Sequence, residues 1–588
     1  MSYRKKKNPL ILGVTDCHDA GVSLVRDGKI LAAINEERLT RKKYIAGTPV
    51  ESLKAIWNIA GIQAEDVDFV ALAGSPSGNP PINNDFSLQD GTWPMTQKLA
   101  ESLSTLPGLP AVMQNHMSIT GYQALMKCFS HRREARLSAF LNELGVHAPL
   151  MSFNHHDTHI ATAYFASGMP ESLIISNDGF GDGQCSKVAI CRDGRINIIA
   201  SNSFYNSLGS YYGFVTKYCG FNKIYHGGKT TGLAAYGDPD KTIHIFRKFL
   251  TWNSHQGAYI NNGPMFRKLM KQLFNELDGV SREHAVAGMQ SHLEDLLVNM
   301  VRHYVARTGI RNVGLSGGIH ANVCVNQKIA AIPELENLFV FPHMGDGGLA
   351  VGAAFLGEMR ASETPVFPRR LEHVYLGSLF EDDAIAATLK SEGLQFSQPE
   401  NLAHVIAKYL QKDKIVARFD GAMEFGPRAL GNRSILYKAT DRSVNDWLNK
   451  QLGRTEFMPF APVVRVKDAL DLFHNYSSVT EHTSEFMTIT FDVTEMFKEM
   501  APATTHIDGT ARPQVLRKEV NPTYYEILDE YCRLTGNKVL VNTSFNMHEE
   551  PIVCTPAEAV QAFFLSDLDI LAIGPFVVEN EAKRGTVS

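Results

Sequence analysis

Two stretches of the chain carry the same succession of apolar runs and polar turns. Leu10-Ile11-Leu12-Gly13-Val14-Thr15-Asp16 reads as a buried strand closing on an aspartate. A small-residue turn follows, then the apolar run Val22 to Val25, the tetrapeptide Arg26-Asp27-Gly28-Lys29 and a third run, Ile30 to Ile34. Far downstream Ser172-Leu173-Ile174-Ile175-Ser176-Asn177-Asp178 repeats the plan. There Gly179-Phe180-Gly181-Asp182-Gly183 forms the turn, followed by Val188 to Cys191, Arg192-Asp193-Gly194-Arg195 and Ile196 to Ile199. Short apolar runs bounded by turn residues predict strands, and Asp-Gly between two of them predicts a hairpin. Meeting a strand-end aspartate and this hairpin twice predicts an internal duplication, with two unrelated hairpins as the alternative.

Such a duplication is the plan of the actin-like ATPase fold, α/β in class, in which two lobes close over a nucleotide. The other periodic segments are helical, for example Glu294 to Thr308, ending near Gly309. Val313 to Asn326 reads as strand, glycine turn and helix. The pair Gly317 and Gly318 lets backbone amides approach a phosphate or ribose, although close helix–strand packing explains it equally well. Asn322 and Asn326 lie four apart on one helical face. A second helix start, Gly345 to Ala354, follows. Pro-rich Ala361 to Arg370 marks a domain boundary, and the polar loop Pro76 to Pro94 is of the kind that forms a binding loop or lid.

The bulk numbers exclude several classes. A chain of 588 residues is too long for one core, so two or more domains are expected. A net charge of −5 offers no footprint for nucleic acid. The 8 cysteines contain no Cys-x-x-Cys pair, which fits a reducing cytoplasm better than a disulfide framework. The start, Ser2 to Lys7, is basic, but the apolar run Leu10 to Val14 is too short for a signal-peptide core, and no stretch can span a bilayer.

Candidate chemistry concentrates in Glu424-Phe425-Gly426-Pro427-Arg428-Ala429-Leu430-Gly431-Asn432-Arg433-Ser434. The turn formers Gly426, Pro427 and Gly431 place Arg428 and Arg433 in one short loop, where two guanidinium forks can grip one phosphoryl anion; ordinary surface arginines are the bland alternative. Arg454, the run His506 to Gln514 with Asp508 and Arg512, and Asn542-Thr543-Ser544-Phe545-Asn546 add further polar and cationic groups. In Phe153-Asn154-His155-His156-Asp157-Thr158-His159, a helix puts His155 and His159 on one face, able to share a cation. His156 stands where a zincin has glutamate, so the general base of that motif is missing. Asp178 and Asp346 are candidate carboxylate ligands. Such a set suits iron(II), manganese or zinc, while capping of a helix start is the structural alternative. His18, in Asp16-Cys17-His18-Asp19, is a candidate proton acceptor, or else a turn residue orienting backbone.

These motifs resemble the carbamoyltransferases of the NodU/CmcH type, which place carbamoyl groups on hydroxyls of antibiotics, toxins and lipo-oligosaccharides, over about Leu10 to Asn580. The resemblance implies a TsaD-like, actin-like amino-terminal domain (8–362) and an α/β YrdC-like carboxy-terminal domain (371–582). It implies an iron-type divalent metal on His155, His159, Asp178 and Asp346. It also implies two half-reactions: carbamoyl-adenylate formation from carbamoyl phosphate and ATP with Mg2+, then transfer to a small-molecule hydroxyl. Arg428, Arg433, Ser434, Arg454, His506, Asp508, Arg512, Asn542, Ser544 and Asn546 are the expected contacts of the first. His18 is the expected base of the second, and Lys229, Gly317, Gly318, Asn322 and Asn326 its nucleotide contacts. Lys229 matches the family's Lys-x-Met-Gly-Leu-Ala motif, with Thr231 for methionine and Gly227 where glutamate is frequent. No nucleic acid or membrane partner is expected, and a homodimer is left open. A kinase or nucleotide-dependent switch using the actin-like domain alone is the rival reading.

Overall fold

The computed structural model describes residues 5–74, 132–264, 266–452 and 459–580. They form two compact units, one of the residues up to Leu31 with Ala46–Arg370, the other of Ala32–Ile45 with Leu371 onward. The sequence boundary 8–362 had assigned Ala32–Ile45 to the first. The loop Pro76 to Pro94 and Arg454 lie outside the described residues.

The first unit carries the duplication as geometry. One sheet holds β1 (Ile11–Thr15), β2 (Gly21–Arg26), β3 (Lys29–Asn35, which leaves this unit after Leu31), β4 (Phe69–Ala73) and β5 (Leu150–Phe153) in the order β3-β2-β1-β4-β5. The other holds β6 (Glu171–Gly181), β7 (Gln184–Arg192) and β8 (Arg195–Ser203). After the separate hairpin of β9 (Leu250–Asn253) and β10 (Ala258–Asn261), it adds β11 (Asn312–Ser316) and β12 (Asn337–Val340), in the order β12-β11-β6-β7-β8. In each, the first strand pairs antiparallel with the next strand of the chain and parallel with a later one, which pairs parallel with the last. This doubled sheet is the plan of the actin-like ATPase fold. Both Asp-Gly turns have positive φ at both residues, 53° and 67° at Asp27 and Gly28, 53° and 73° at Asp193 and Gly194, which matches the twist of the flanking strands.

Two local expectations change. β6 continues through Gly181 with a bulge after Asn177 and reverses only at Asp182 and Gly183 (φ 50° and 82°), so the glycine turn is shorter than its sequence suggests. The helix after the glycine pair begins at Val323, making Asn322 its N-cap, so Asn322 and Asn326 do not share a helical face.

Two helices carry the site. His155–Ser167 is buried at every residue but Asp157, and Leu349–Ala361 lies against it. Buried side chains such as Leu349, Val351 and Phe355 stabilise this packing by roughly 1.5–3 kcal/mol each. Their crossing is close: a Cβ on Gly352 would come within 1.9 Å of Thr158 O. That approach draws Asp346, in the 3-10 turn Asp346–Gly348 leading into the second helix, towards the start of the first.

The second unit is a seven-stranded mixed sheet with helices. Its strands are β13 (Val416–Phe419), β14 (Arg433–Lys438), β15 (Ala461–Arg465), β18 (Gln514–Leu516), β19 (Leu540–Ser544), β20 (Ile570–Ile573) and β21 (Phe576–Glu579). Their order is β18-β15-β19-β14-β13-β20-β21, and β16 (Phe491–Asp492) pairs separately with β17 (Thr510–Ala511). Ile406, Leu410, Val416, Leu436, Tyr524, Leu528 and Leu540 pack into one core. Among the described residues no helix is long and apolar enough to cross a membrane.

Candidate functional site

Helix His155–Ser167 begins where its sequence demands. Asn154 caps it, its Oδ1 accepting from His156 N at 3.1 Å and Asp157 N at 3.3 Å. Two further groups fix the entry: Asp182 Oδ2 accepts from His155 N at 2.7 Å, and buried Lys187 donates through Nζ to Asn154 Oδ1 (2.8 Å) and Asp157 Oδ1 (2.7 Å). The spacing of four then turns His155 and His159 inward, ring centroids 4.8 Å apart.

Asp178, near the end of β6, and Asp346 meet them. His155 Nε2 lies 3.1 Å from Asp178 Oδ2 and 3.5 Å from Asp346 Oδ1, and His159 Nε2 lies 3.6 Å from Asp346 Oδ1. Ligand atoms of the four residues all fall within 4.8 Å of one another. The donor set fits a divalent cation: two imidazoles and two carboxylates converge, and His159 Nε2 is buried without a hydrogen-bond partner. Burial works to lower the pKa of His155, but the Asp346 charge and the Asp178 hydrogen bond outweigh it and hold it well above the usual value. Burial works to raise both carboxyls, and the neighbouring histidines hold them below the usual range. His156 points elsewhere, its Nδ1 2.9 Å from Ser176 Oγ; burial, then the neighbouring His155, hold it well below the usual range.

The glycine turn serves this cluster. Gly318 N donates to Asp178 Oδ1 at 3.0 Å and Gly317 N to Met344 O at 2.7 Å, so neither amide is turned to a ligand as the sequence suggested. Asn322 exchanges hydrogen bonds with Gln290, and Asn326 is fully buried, bonded to His320. Both asparagines, expected as nucleotide contacts, are therefore engaged within the fold. Buried His320 accepts from Asn177 Nδ2 (3.2 Å), whose Oδ1 accepts from Tyr259 OH (2.9 Å), a polar chain behind the strand that presents Asp178. Lys229 is partly buried on the helix Gly227–Ala234.

The two equivalent strand-end aspartates have diverged. Asp178 joins the cluster, whereas Asp16 is held by a bidentate ion pair with Arg133 Nε and Nη2. His18 sits at the rim with 54% of its side chain exposed, Nε2 3.1 Å from Asp346 Oδ2 and Nδ1 3.3 Å from Asp19 Oδ2. Burial acts to lower its pKa and those carboxylates to raise it; with half the ring in water burial counts for little, and the upward direction stands. A histidine titrating near neutrality, as the sequence suggested, is not what this pairing gives.

In the second unit three sequence motifs converge. Asn542 Nδ2 donates to Ala429 O (3.2 Å) and Gln514 Oε1 (2.8 Å), while Gln514 Nε2 donates to Leu430 O (2.8 Å). Register pairs Ser434 with Ser544. Arg428 and Arg512 are partly exposed. Arg433 is not in the loop as expected. It opens β14, fully buried, its Nη1 donating to the carbonyls of Asp420 (3.0 Å), Gly421 (3.1 Å) and Asn432 (2.9 Å) and its guanidinium carbon 3.6 Å from the Phe419 ring centroid. It braces the loop from inside and cannot grip an anion beside Arg428. The loop's amides are also occupied: Glu424 Oε1 accepts from Leu430 N (2.8 Å), Asn432 N (2.8 Å) and Arg433 N (3.2 Å). Ser434 Oγ accepts from Gly431 N, and Asn546 Nδ2 donates to the carbonyls of Met547 and Glu550. Asp508 Oδ1 closes a tight turn on Thr510, and burial pushes His506 down to about 4.

Sequence reasoning missed Asp182, Lys187, Arg133, Gln514 and the buried role of Glu424. No local signal marks the first four, which act on partners 27 or more positions away, whereas Glu424 acts within its own loop, on amides six to nine positions on.

Residues 10–355 match the family model described as carbamoyltransferase N-terminus and residues 407–580 that described as carbamoyltransferase C-terminus. Nodulation protein NolNO of Sinorhizobium fredii is 31% identical over 584 residues, 98% of this chain and 81% of that one. An uncharacterised protein of Methanocaldococcus jannaschii is 29% identical over 97% of this chain and 100% of its own. Nodulation protein U of Sinorhizobium fredii is 25% identical over 92% and 94%. Among solved structures, full-length HypF in its phosphate- and nucleotide-bound form is 12% identical with a TM-score of 0.32, covering 62% of this chain and 57% of that one, too distant a likeness to bear on function. With both family models matched in order along one chain, and a relative above 30% identity across nearly all of it, the chain belongs to the carbamoyltransferase family and is an enzyme of that class.

Proposed function

We propose that the chain is an ATP-dependent O-carbamoyltransferase whose YrdC-like second unit makes carbamoyl-adenylate and whose first unit passes the carbamoyl group to a hydroxyl of a small molecule such as a natural product. The observation that carries this reading is the cluster of His155, His159, Asp178 and Asp346, two imidazoles and two carboxylates drawn to one point in a chain of this family.

In the second unit, carbamoyl phosphate loses its phosphate to water, and the carbamate oxygen displaces pyrophosphate from ATP. The substrates gather several negative charges even with Mg2+, and Arg428 and Arg512 are the cations proposed to offset them. Ser544 and Asn546 add polar contacts, while Arg433, Ser434, Asn542, His506 and Asp508 shape the loops. In the first unit the acceptor hydroxyl attacks the carbamoyl carbon, AMP leaves with the bonding pair, and the hydroxyl proton must be taken up. His18 is proposed to take it, which requires that Asp346 Oδ2, 3.1 Å from Nε2 and holding the ring as imidazolium in this structure, be turned to a bound divalent ion so that Nε2 is free to accept; Asp19 Oδ2, 3.3 Å from Nδ1, would then stabilise the imidazolium formed. Lys229 is the proposed nucleotide contact. His155, His159, Asp178 and Asp346 would hold a divalent ion, iron(II) on the family resemblance, which would supply Lewis acidity.

A kinase or switch of the same fold would leave the second family-matched unit without a task. The test incubates the protein with ATP, Mg2+ and carbamoyl phosphate, without acceptor, and follows AMP, ADP and pyrophosphate, with Arg428→Ala as control. Pyrophosphate that requires carbamoyl phosphate and vanishes in the variant is expected. ADP, or product formation indifferent to carbamoyl phosphate, would overturn the proposal.

A further inference from the structure

The short helix Glu36–Thr40 lies early in the chain yet belongs to the second unit. Ala33 N donates to Leu376 O at 3.0 Å, so the segment is tied down before the helix begins. Arg38 is 5% exposed, and its Nη2 donates to the carbonyl of Gly426 at 2.7 Å. Arg41, the left-handed C-cap of the same helix, donates through Nη1 to Ile552 O and through Nη2 to Pro551 O, both at 2.7 Å.

Gly426 is buried with φ 128°, a conformation open to glycine, and its buried carbonyl needs a donor. Arg38 is that donor. It sets the peptide plane from which Pro427 and Arg428 depart. Pro551 and Ile552 lie at the far end of the loop that follows Ser544 and Asn546, where Val553 N returns to Phe545 O at 3.0 Å. Arg41 holds that end, with Glu558 and Glu550 carboxylates 3.4 and 3.6 Å from its guanidinium. Two arginines of one helical turn therefore fasten both loops on which the proposed anion contacts ride.

We infer that Arg38 is a positioning residue for the adenylate-forming reaction: by fixing the Gly426 carbonyl it aims Arg428 at the phosphate-bearing substrate, and Arg41 does the same for the loop of Ser544 and Asn546. This rests on the function proposed above. Arg38 acts through Gly426 and need not touch substrate.

The test uses the full chain carrying Arg38→Met, Arg38→Lys or Arg41→Met. It measures carbamoyl phosphate-dependent ATP–pyrophosphate exchange together with hydrogen exchange of peptides covering 424–434 and 155–167. Arg38→Met should raise KM for carbamoyl phosphate and lower kcat, a combined loss on the order of a hundredfold as expected for a reacting group displaced by about 1 Å. Arg38→Lys should recover part of it, because an ammonium still donates to one carbonyl. Amides of 424–434 should exchange faster while those of 155–167 do not change. Simple destabilisation would lower the active fraction, and so kcat, while leaving KM alone. Wild-type KM, kcat and exchange in a folded Arg38→Met chain would overturn the inference. If that variant does not fold, Arg38→Lys and Arg41→Met carry the same comparison. A wild-type chain that shows no exchange of pyrophosphate overturns the functional reading instead, and protection of 424–434 then decides by itself whether Arg38 holds the loop.

Discussion

Replacing Arg433 by methionine separates two roles that its sequence context makes look alike. The side chain has 0% exposure, three carbonyl acceptors within 3.1 Å and the Phe419 ring beneath it. Methionine fills a similar volume without a donor. The Asp420 and Gly421 carbonyls, partly screened from water, forfeit about 1–3 kcal/mol each on losing this donor, Asn432 O keeps the Asp420 N–H, and the lost ring contact costs about 2 kcal/mol. Against this, removing a buried charge returns part of its desolvation energy, so a net loss of about 3–5 kcal/mol is expected, as for other broken buried charge sites. For a unit of this size each kcal/mol shifts the unfolding temperature by roughly 2–4 °C, giving a drop of about 6–20 °C in scanning calorimetry of the full chain. Arg428→Ala, at a partly exposed position, should abolish carbamoyl phosphate-dependent pyrophosphate release with a smaller loss of stability than Arg433→Met. The reverse result, an Arg433→Met chain with the wild-type transition but no pyrophosphate, would mean that this guanidinium meets substrate and that the argument from burial is wrong.

At the cluster, Gly181→Ala would drive a Cβ to 2.1 Å from the His155 ring, whereas a Cβ on Gly179 meets nothing within 4 Å. Gly181→Ala should therefore lose divalent-ion binding in calorimetric titration and Gly179→Ala should keep it; equal affinities would refute the placement of His155. Anaerobic iron(II) at a hundredfold excess over its dissociation constant should stabilise the chain by about 2.7 kcal/mol, reversed by chelator and absent in His159→Ala. A wild-type response in that variant would put the ion elsewhere. Glu358, which accepts from Gly28 N at 3.1 and 3.2 Å, is pushed by burial up to about 7 from 4.5. With the folded pKa above the unfolded one, its contribution is complete below about 4.5 and fades as pH rises through about 7. Urea midpoints should show that slope in wild type and lose it in Glu358→Gln.

What the sequence made legible was local. The Asp-Gly turns declare themselves because their dihedral demands are written in two adjacent residues. His155 and His159 declare a shared face because a helix has a fixed period, and the strand-end position of Asp178 follows from the repeat. What it concealed depends on long-range register. Nothing around Arg433 tells a loop arginine from the first residue of a central strand, and full burial of an arginine is rare enough that exposure was the natural expectation. Gly317 and Gly318 have the composition of a ligand cradle, but Asp178 and Met344 already take their amides. Asn326 looked available until His320, six residues earlier, folded back onto it. The placement of Ala32–Ile45 had no signal, because a contact such as Arg38 with Gly426 spans nearly 400 positions.

That placement bears on how such chains can be rearranged in evolution. The family models break the protein into a front and a back half, which invites a picture of two modules joined by fusion and free to be exchanged. A crossover at Arg370 would hand the new back half a foreign Ala32–Ile45 and ask a stranger's Arg38 and Arg41 to find the carbonyls of Gly426, Pro551 and Ile552. Recombinants should therefore survive chiefly where the donor's early segment travels with its own back half, so that the front half diversifies around a fixed insert of fourteen residues, Ala32 to Ile45.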